Sequence, residues 1–375
     1  MKILREVRDY IKFSGIKNKG IVFYSENSGY YKYFEKLIDD ILSCGNEDIL
    51  YVTSDYNDAV FKLNNPRIKA FYINKLLATF LLYLDCKVFV TTMAELGNHG
   101  YVRSKANLNI EYIYVFHAVL STTMIYQEGA FDNYDTILSV GEHHNKEIRE
   151  RESLFNLKEK NIINYGYPLL DKLYDKYKNF KVENTKSKPS ILIAPSWQKD
   201  NILDLCINDI LSNIDVEKYN ITIRPHPEYL KRFSDKFKQI ESRYKKLNIN
   251  FDKNLLSNDS ILGADLLITD WSGIAFEYAF AAIRPVLFIN TPMKVHNENY
   301  TIHKNIPMEI SLREGCGISV DVDKISDIQN IINNFFENYE KYEERIKNLR
   351  SQYIYNFGTD NNDCAKYILG KVTRK

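Results

Sequence analysis

The chain is written as short apolar runs separated by longer amphipathic stretches. In the first half, strand-length runs fall at residues 20–24, 48–53, 69–73, 87–92, 111–116, 135–140 and 161–165. Helical spacing of apolar positions fills the intervals at 30–42, 76–84 and 142–151. The runs carry Val, Ile, Leu and aromatic residues with little polar alternation, as in Gly20-Ile21-Val22-Phe23-Tyr24. Such strands are buried on both faces, so the pattern predicts a parallel sheet covered by helices. Residues 181–189 are polar, charged and without period, and read as a linker. The rhythm then restarts. Strands are expected at 190–194, 219–224, 249–251, 264–269 and 285–289, with helices at 200–214, 228–244 and 258–263. Helical patterns at 322–347 and 360–371 close the chain.

The expected fold class is α/β: two Rossmann-like domains, residues 1–175 and 186–375, facing a cleft, with a C-terminal helical extension. This is the two-lobed GT-B architecture by analogy of fold. A length of 375 residues suffices for two cores.

Composition narrows the partners. The formal net charge of +1 lacks the basic excess of a nucleic-acid binder. Cys44, Cys86, Cys206, Cys316 and Cys364 are scattered without a CxxC spacing, which fits a reducing compartment and offers no zinc framework. No run approaches the ~18–20 apolar residues of a membrane span, and the amino terminus lacks a signal-peptide pattern, so a cytoplasmic location is expected. The first residues set Lys2, Arg5, Arg8, Lys12, Lys17 and Lys19 against Glu6 and Asp9, with Leu4, Val7 and Ile11 at helical spacing. That is either a basic helix for an anionic membrane surface or an ordinary first helix packed on its own domain. The 28 tyrosines suit a sugar-handling cleft, but AT-rich coding gives the same enrichment.

The chemistry concentrates in loops after strands. Ile268-Thr269-Asp270-Trp271-Ser272-Gly273 reads as a strand end, a polar turn and a helix start, with Ser272 as cap and Gly273 admitting a ligand to the backbone. A helix start is a phosphate seat. Ile223-Arg224-Pro225-His226-Pro227 ends another strand. Arg224 is either a phosphate clamp or the partner of a nearby carboxylate, and His226 is suited to a diphosphate oxygen or the leaving phosphate. Asp270 either orients His226 or holds its turn. Glu277, one helical turn further, is placed for a ribose hydroxyl or for the helix dipole. Ser196 and Trp197 end the strand after the linker and line the same expected cleft. His117 follows the strand at 111–116 as a candidate general base. His143 and His144 are adjacent on a helix and do not face each other, and Asp321-Val322-Asp323 opens a helical pattern; neither is read as a metal site. His99, His296 and His303 have no partner in sequence.

Read together, Phe116-His117-Ala118, Gly166-Tyr167-Pro168-Leu169-Leu170-Asp171, Ala194-Pro195-Ser196-Trp197, Arg224-Pro225-His226-Pro227 and Thr269-Asp270-Trp271-Ser272-Gly273 resemble the CDP-glycerol glycerophosphotransferase family of teichoic-acid primases and polymerases. The resemblance spans about residues 115–290, and more faintly the loop Ser25-Glu26-Asn27-Ser28-Gly29. It implies a GT-B enzyme that moves a polyol phosphate from a CDP-activated donor to an acceptor hydroxyl in cell-surface polymer synthesis. The acceptor would be lipid-linked or a saccharide, met at the inner face of the membrane by peripheral contact. The first domain would take the acceptor and the second the nucleotide-diphosphate donor. His117 and His226 would be catalytic. Ser196, Trp197, Arg224, Thr269, Asp270, Ser272, Gly273 and Glu277 would bind substrate. No metal or other cofactor is implied. The chain departs from the family where His117 is followed by Ala118 rather than Gly, where Trp271 and Gly273 replace Tyr and Ser, and where Glu277 replaces Asp. Three rivals share the two-lobed shape or the setting: a nucleotide-sugar glycosyltransferase of capsule or lipopolysaccharide synthesis, a sugar epimerase, and a non-catalytic subunit of a capsule assembly complex.

Overall fold

The computed structural model describes residues 2–98, 100–183, 188–247, 249–254 and 258–373. The first sheet holds β1 (Ile21–Ser25), β2 (Ile49–Thr53), β3 (Ile68–Tyr72), β4 (Val88–Thr91), β5 (Glu111–Val115), β6 (Thr136–Ser139) and β7 (Asn161–Asn164). Its order is β3-β2-β1-β4-β5-β6-β7. The second holds β8 (Ser190–Ile193), β9 (Asn220–Ile223), β10 (Ile249–Phe251), β11 (Leu266–Thr269), β12 (Val286–Asn290) and β13 (Gly317–Asp321), in the order β10-β9-β8-β11-β12-β13. Neighbouring strands pair in parallel throughout, with Val22 beside Leu50 and Phe89, and Ile268 beside Ile193 and Leu287. This is the expected GT-B architecture.

Alternate residues of β1 feed two cores. Ile21 and Phe23 pack with Phe34, Leu37 and Ile38 of the helix Tyr31–Cys44. Val22 and Tyr24 join Phe89 and Tyr114 on the other face. That second core continues across the molecule to Leu267, Phe276 and Phe280, so the lobes share apolar packing. Strand order reverses at β1/β4 in one sheet and β8/β11 in the other, and such switch points open crevices at the carboxyl edge.

Several expectations are corrected. The helix expected to end near residue 178 runs Pro168–Glu183, and residues 184–187 of the expected linker lie outside the described residues. β13 was unforeseen, because Gly-Ile-Ser-Val-Asp at a sheet edge is half polar. The pattern at 322–347 divides into a 3₁₀ turn, a helix Ile328–Glu337 and a helix Tyr339–Tyr353, broken at Asn338. The last helix, Asp363–Thr373, packs on the first lobe, burying Cys364, Ala365, Ile368 and Val372 beside Ile38 and Ile41. Lys371 and Tyr367 both bond Glu111, at the start of β5, at 2.7 Å. The chain thus crosses between lobes twice. Gly141 and Gly166 stand where the returning segment passes over β6 and β7; a Cβ at either would collide with the carbonyls of Tyr353 and Tyr355.

The first helix, Lys2–Ser14, is inverted. Glu6 and Asp9 are buried and accept the backbone N–H groups of Asn74, Leu76 and Tyr72 at 2.7–3.1 Å. Ile3, Leu4, Val7 and Ile11 are 43–76 % exposed.

Candidate active site

The loop after β5 places His117 half-buried among the rings of Tyr30, Tyr33 and Tyr126, with centroids 5.4–6.0 Å away. Tyr114 Oη lies 3.4 Å from its Nδ1. Burial pushes the imidazole down to about 4, and the cations Lys32 and Lys294 reinforce the shift. The ring is therefore neutral at pH 7 and can accept a proton.

The backbone behind His117 is held by the helix Glu142–Phe155. His143 Nε2 lies 2.9 Å from the Val119 carbonyl and His144 Nε2 2.8 Å from that of Leu120, so each imidazole donates there. Glu147, buried on the same helix, receives both the N–H and the hydroxyl of Thr122 at 2.6 Å. Glu309, from the second lobe, receives the N–H and hydroxyl of Ser121 at 3.0 and 2.7 Å. The adjacent histidines thus serve a loop.

In the second lobe His226 caps the helix Pro227–Arg232, its Nδ1 accepting the Glu228 N–H at 3.1 Å. With that lone pair occupied, a neutral ring carries its proton on Nε2. Burial, then Lys294, lowers His226 to about 4. Trp197 stands 6.4 Å from both His226 and His296, and the Lys294 ammonium lies 5.5 Å from its ring. Lys294 is half-buried, and its own pKa is lowered by burial. It acts on His117 and His226 alike, which places one cation between the two lobes' histidines.

Asp270 is buried and closes the β8/β11 switch point. Its carboxylate receives the N–H groups of Ser196 and Trp271 at 2.7 Å and of Ile202 at 3.2 Å. Arg313 bonds its carbonyl at 3.0 Å. Thr269 Oγ1 donates to the Ala194 carbonyl at 2.6 Å. Both residues hold the turn. Ser272 makes no side-chain cap: Gly273 stands at the cap position of the short helix Ile274–Tyr278. A Cβ on Gly273 would lie 3.3 Å from Leu120 of the first lobe, so the helix start abuts the His117 loop. Glu277 receives the Tyr167 hydroxyl at 2.6 Å across the lobes, and that oxygen also lies 3.2 Å from the His117 carbonyl. Burial raises the Glu277 carboxyl.

The family model described as CDP-glycerol:poly(glycerophosphate) glycerophosphotransferase matches residues 7–356. The chain belongs to this family. The teichoic acid glycerol-phosphate primase of Bacillus subtilis is 26% identical over 173 residues, covering 45% of this chain and 42% of that protein. The teichoic acid poly(glycerol phosphate) polymerase of Bacillus spizizenii is 30% identical over 165 residues, 39% of each. The chain thus matches less than half the length of these curated family members. Among solved structures, the wall teichoic acid polymerase TagF, soaked with CDPG, superposes with a TM-score of 0.59 at 17% identity, covering 99% of this chain and 96% of that one. A glycosyltransferase from Rickettsia africae superposes at 0.53 with 13% identity, covering 96% and 100%. Both likenesses are of fold.

Of the residues expected to serve this family's chemistry, His117, His226, Trp197, Ser272, Gly273 and Glu277 converge on the facing edges of the lobes. Arg224 does not. Its guanidinium is turned along the sheet to Asp252 at 2.6 Å and Ser260 at 3.0 Å, the second of its two sequence readings. Ser196, Thr269 and Asp270 frame the turn. Lys294, Tyr30, Tyr33 and Tyr126 were missed. Lys294 lies just beyond the carboxyl end of β12, where the strand-end rule that singled out His226 also points. His99 lies outside the described residues. His303 sits 3.7 Å from Glu150, and Asp321 bonds Asn290 and Lys324 at 2.8 Å.

Proposed function

We propose that this chain transfers a polyol phosphate, of the glycerol-phosphate type, from a CDP-activated donor to an acceptor hydroxyl in cell-surface polymer synthesis. The observation that carries it is the pair of neutral histidines on opposite lobes with Lys294 acting on both. In this reading residues 1–175 form the acceptor-side lobe and the sheet from residue 190 the donor-side lobe, while the last helix belongs structurally to the first. His117 accepts the proton of the acceptor hydroxyl as its oxygen attacks the distal phosphorus. The bond from that phosphorus to the bridging oxygen breaks, and CMP leaves. His226 Nε2–H and Lys294 bear on the diphosphate, countering the charge that gathers on the leaving phosphate. Ser272 and the Gly273 N–H line the same seat.

A nucleotide panel read by thermal shift tests the donor, because a ligand that binds the native state raises its melting temperature. CMP and CDP are expected to stabilise, followed by CMP release from CDP-glycerol. Stabilisation by UDP or GDP instead would transfer the chain to the glycosyltransferase class, and silence to a non-catalytic role.

The acceptor is read as lipid-linked, reached by peripheral contact at the inner membrane face. No helix among the described residues is long and apolar enough to cross a membrane. The inverted first helix supports surface contact: its apolar stripe and Lys2, Arg8 and Lys12 face outward together. Leu4→Gln with Ile11→Gln is expected to cut binding to anionic vesicles while leaving CMP release from a soluble acceptor intact. Unchanged binding would return the helix to a purely intramolecular role.

A further inference from the structure

A cavity of about 490 Å³ lies on the first lobe, between the helices Tyr31–Cys44 and Pro168–Glu183 and the returning segment 356–361. That volume is within the ~300–1,000 Å³ of ligand sites. Its inner end is formed by Lys32 and Tyr167. The same Tyr167 hydroxyl reaches the His117 carbonyl and Glu277, and Lys32 acts electrostatically on both His117 and Glu277. The cavity therefore begins where an attacking hydroxyl would have to stand.

Away from that end the walls alternate in charge. Asp39 and Asp171 are interleaved with Lys36 and Lys172. Asp171 is already engaged by the N–H of Gly358, which turns through a left-handed φ of 70° to reach it. Lys172 pairs with Glu35 at 2.5 Å, with the two side chains 47 % and 36 % exposed. Exposed pairs of this kind contribute about 0–1 kcal/mol, so an incoming phosphodiester can displace the carboxylate at little cost. A nucleobase slot would be apolar and aromatic. Ammonium groups set among carboxylates and amides suit a chain in which phosphates alternate with hydroxyl-bearing carbons.

We infer that this groove seats the polyol-phosphate chain of the acceptor and delivers its terminal hydroxyl to His117. The inference rests on the transferase reading for the direction of delivery, but not for binding itself. The test uses synthetic polyol-phosphate oligomers of one and of several units. Thr359→Trp narrows the outer end of the groove, and Lys172→Gln removes a cation; neither residue belongs to the catalytic machinery. The multi-unit oligomer is expected to bind the wild type without donor, and both variants about tenfold more weakly, the worth of one charge-assisted contact. The acceptor KM should rise by the same factor, while the one-unit acceptor and CDP affinity by calorimetry stay unchanged. Oligomer binding without any CMP release from CDP-glycerol would sink the transfer reading and keep the groove. Equal oligomer affinity in wild type and both variants, or no oligomer binding at all, overturns the groove alone.

Discussion

His117 and His226 look alike in sequence, yet the structure gives them different work. His117 is surrounded by tyrosine rings and faces the acceptor-side lobe. His226 spends Nδ1 on its own helix and has only Nε2 to offer. His117→Ala should cut turnover by roughly two to four powers of ten, the usual share of acid–base catalysis, with CDP affinity retained. His226→Ala should weaken CDP binding as well. The pH profile adds a sharper check. With both imidazoles lowered to about 4, the acid limb of kcat/KM should lie near pH 4, below the ordinary histidine range. A limb at about 6.5 would mean that neither ring is buried as described. Legibility at this scale was partial. Histidines in strand-end loops announce themselves, because the rule about carboxyl edges is local. Arg224 could not be settled locally: its partner Asp252 lies at the end of a different strand.

At the scale of elements, the loop from His117 to Thr122 is clamped by the helix behind it and by Glu309 in front. Burial raises the Glu147 carboxyl from 4.5 to about 8, so it is protonated at neutral pH. A folded-state value above the unfolded one contributes stability that is full below about 4.5 and is lost as pH rises through about 8. Glu147→Gln should therefore flatten the decline in melting temperature over that window relative to wild type. An unaltered slope would show that the carboxyl is ionised in the fold. The terminal helix offers a second check. Ile368 is fully buried against the first lobe, and Ile368→Ala should lower stability by about 2–5 kcal/mol in denaturant titrations without moving the donor KM. The elements themselves were largely legible, because parallel strands buried on both faces leave unbroken apolar runs. β13 escaped because an edge strand need not be apolar. The division at Asn338 escaped because a helical period survives a break that preserves its phase. The clamp was illegible: Glu309 and Ser121 are far apart in sequence, and only the fold brings them to 2.7 Å.

For the whole molecule, the notable fact is the route of the chain. It leaves the first lobe through the helix Pro168–Glu183 and comes back after Tyr353, laying its last helix on Tyr31–Cys44. Two covalent crossings define a line, as two hinges define the axis of a door. Sliding or twisting of one lobe on the other strains both connections together. Rotation about the line strains neither. The motion left cheap is a one-dimensional swing, in which the edge bearing His226 and Lys294 approaches and leaves the edge bearing His117 along a fixed arc. An enzyme built this way has few ways to close incorrectly, and the base meets the donor at the same angle at every turnover.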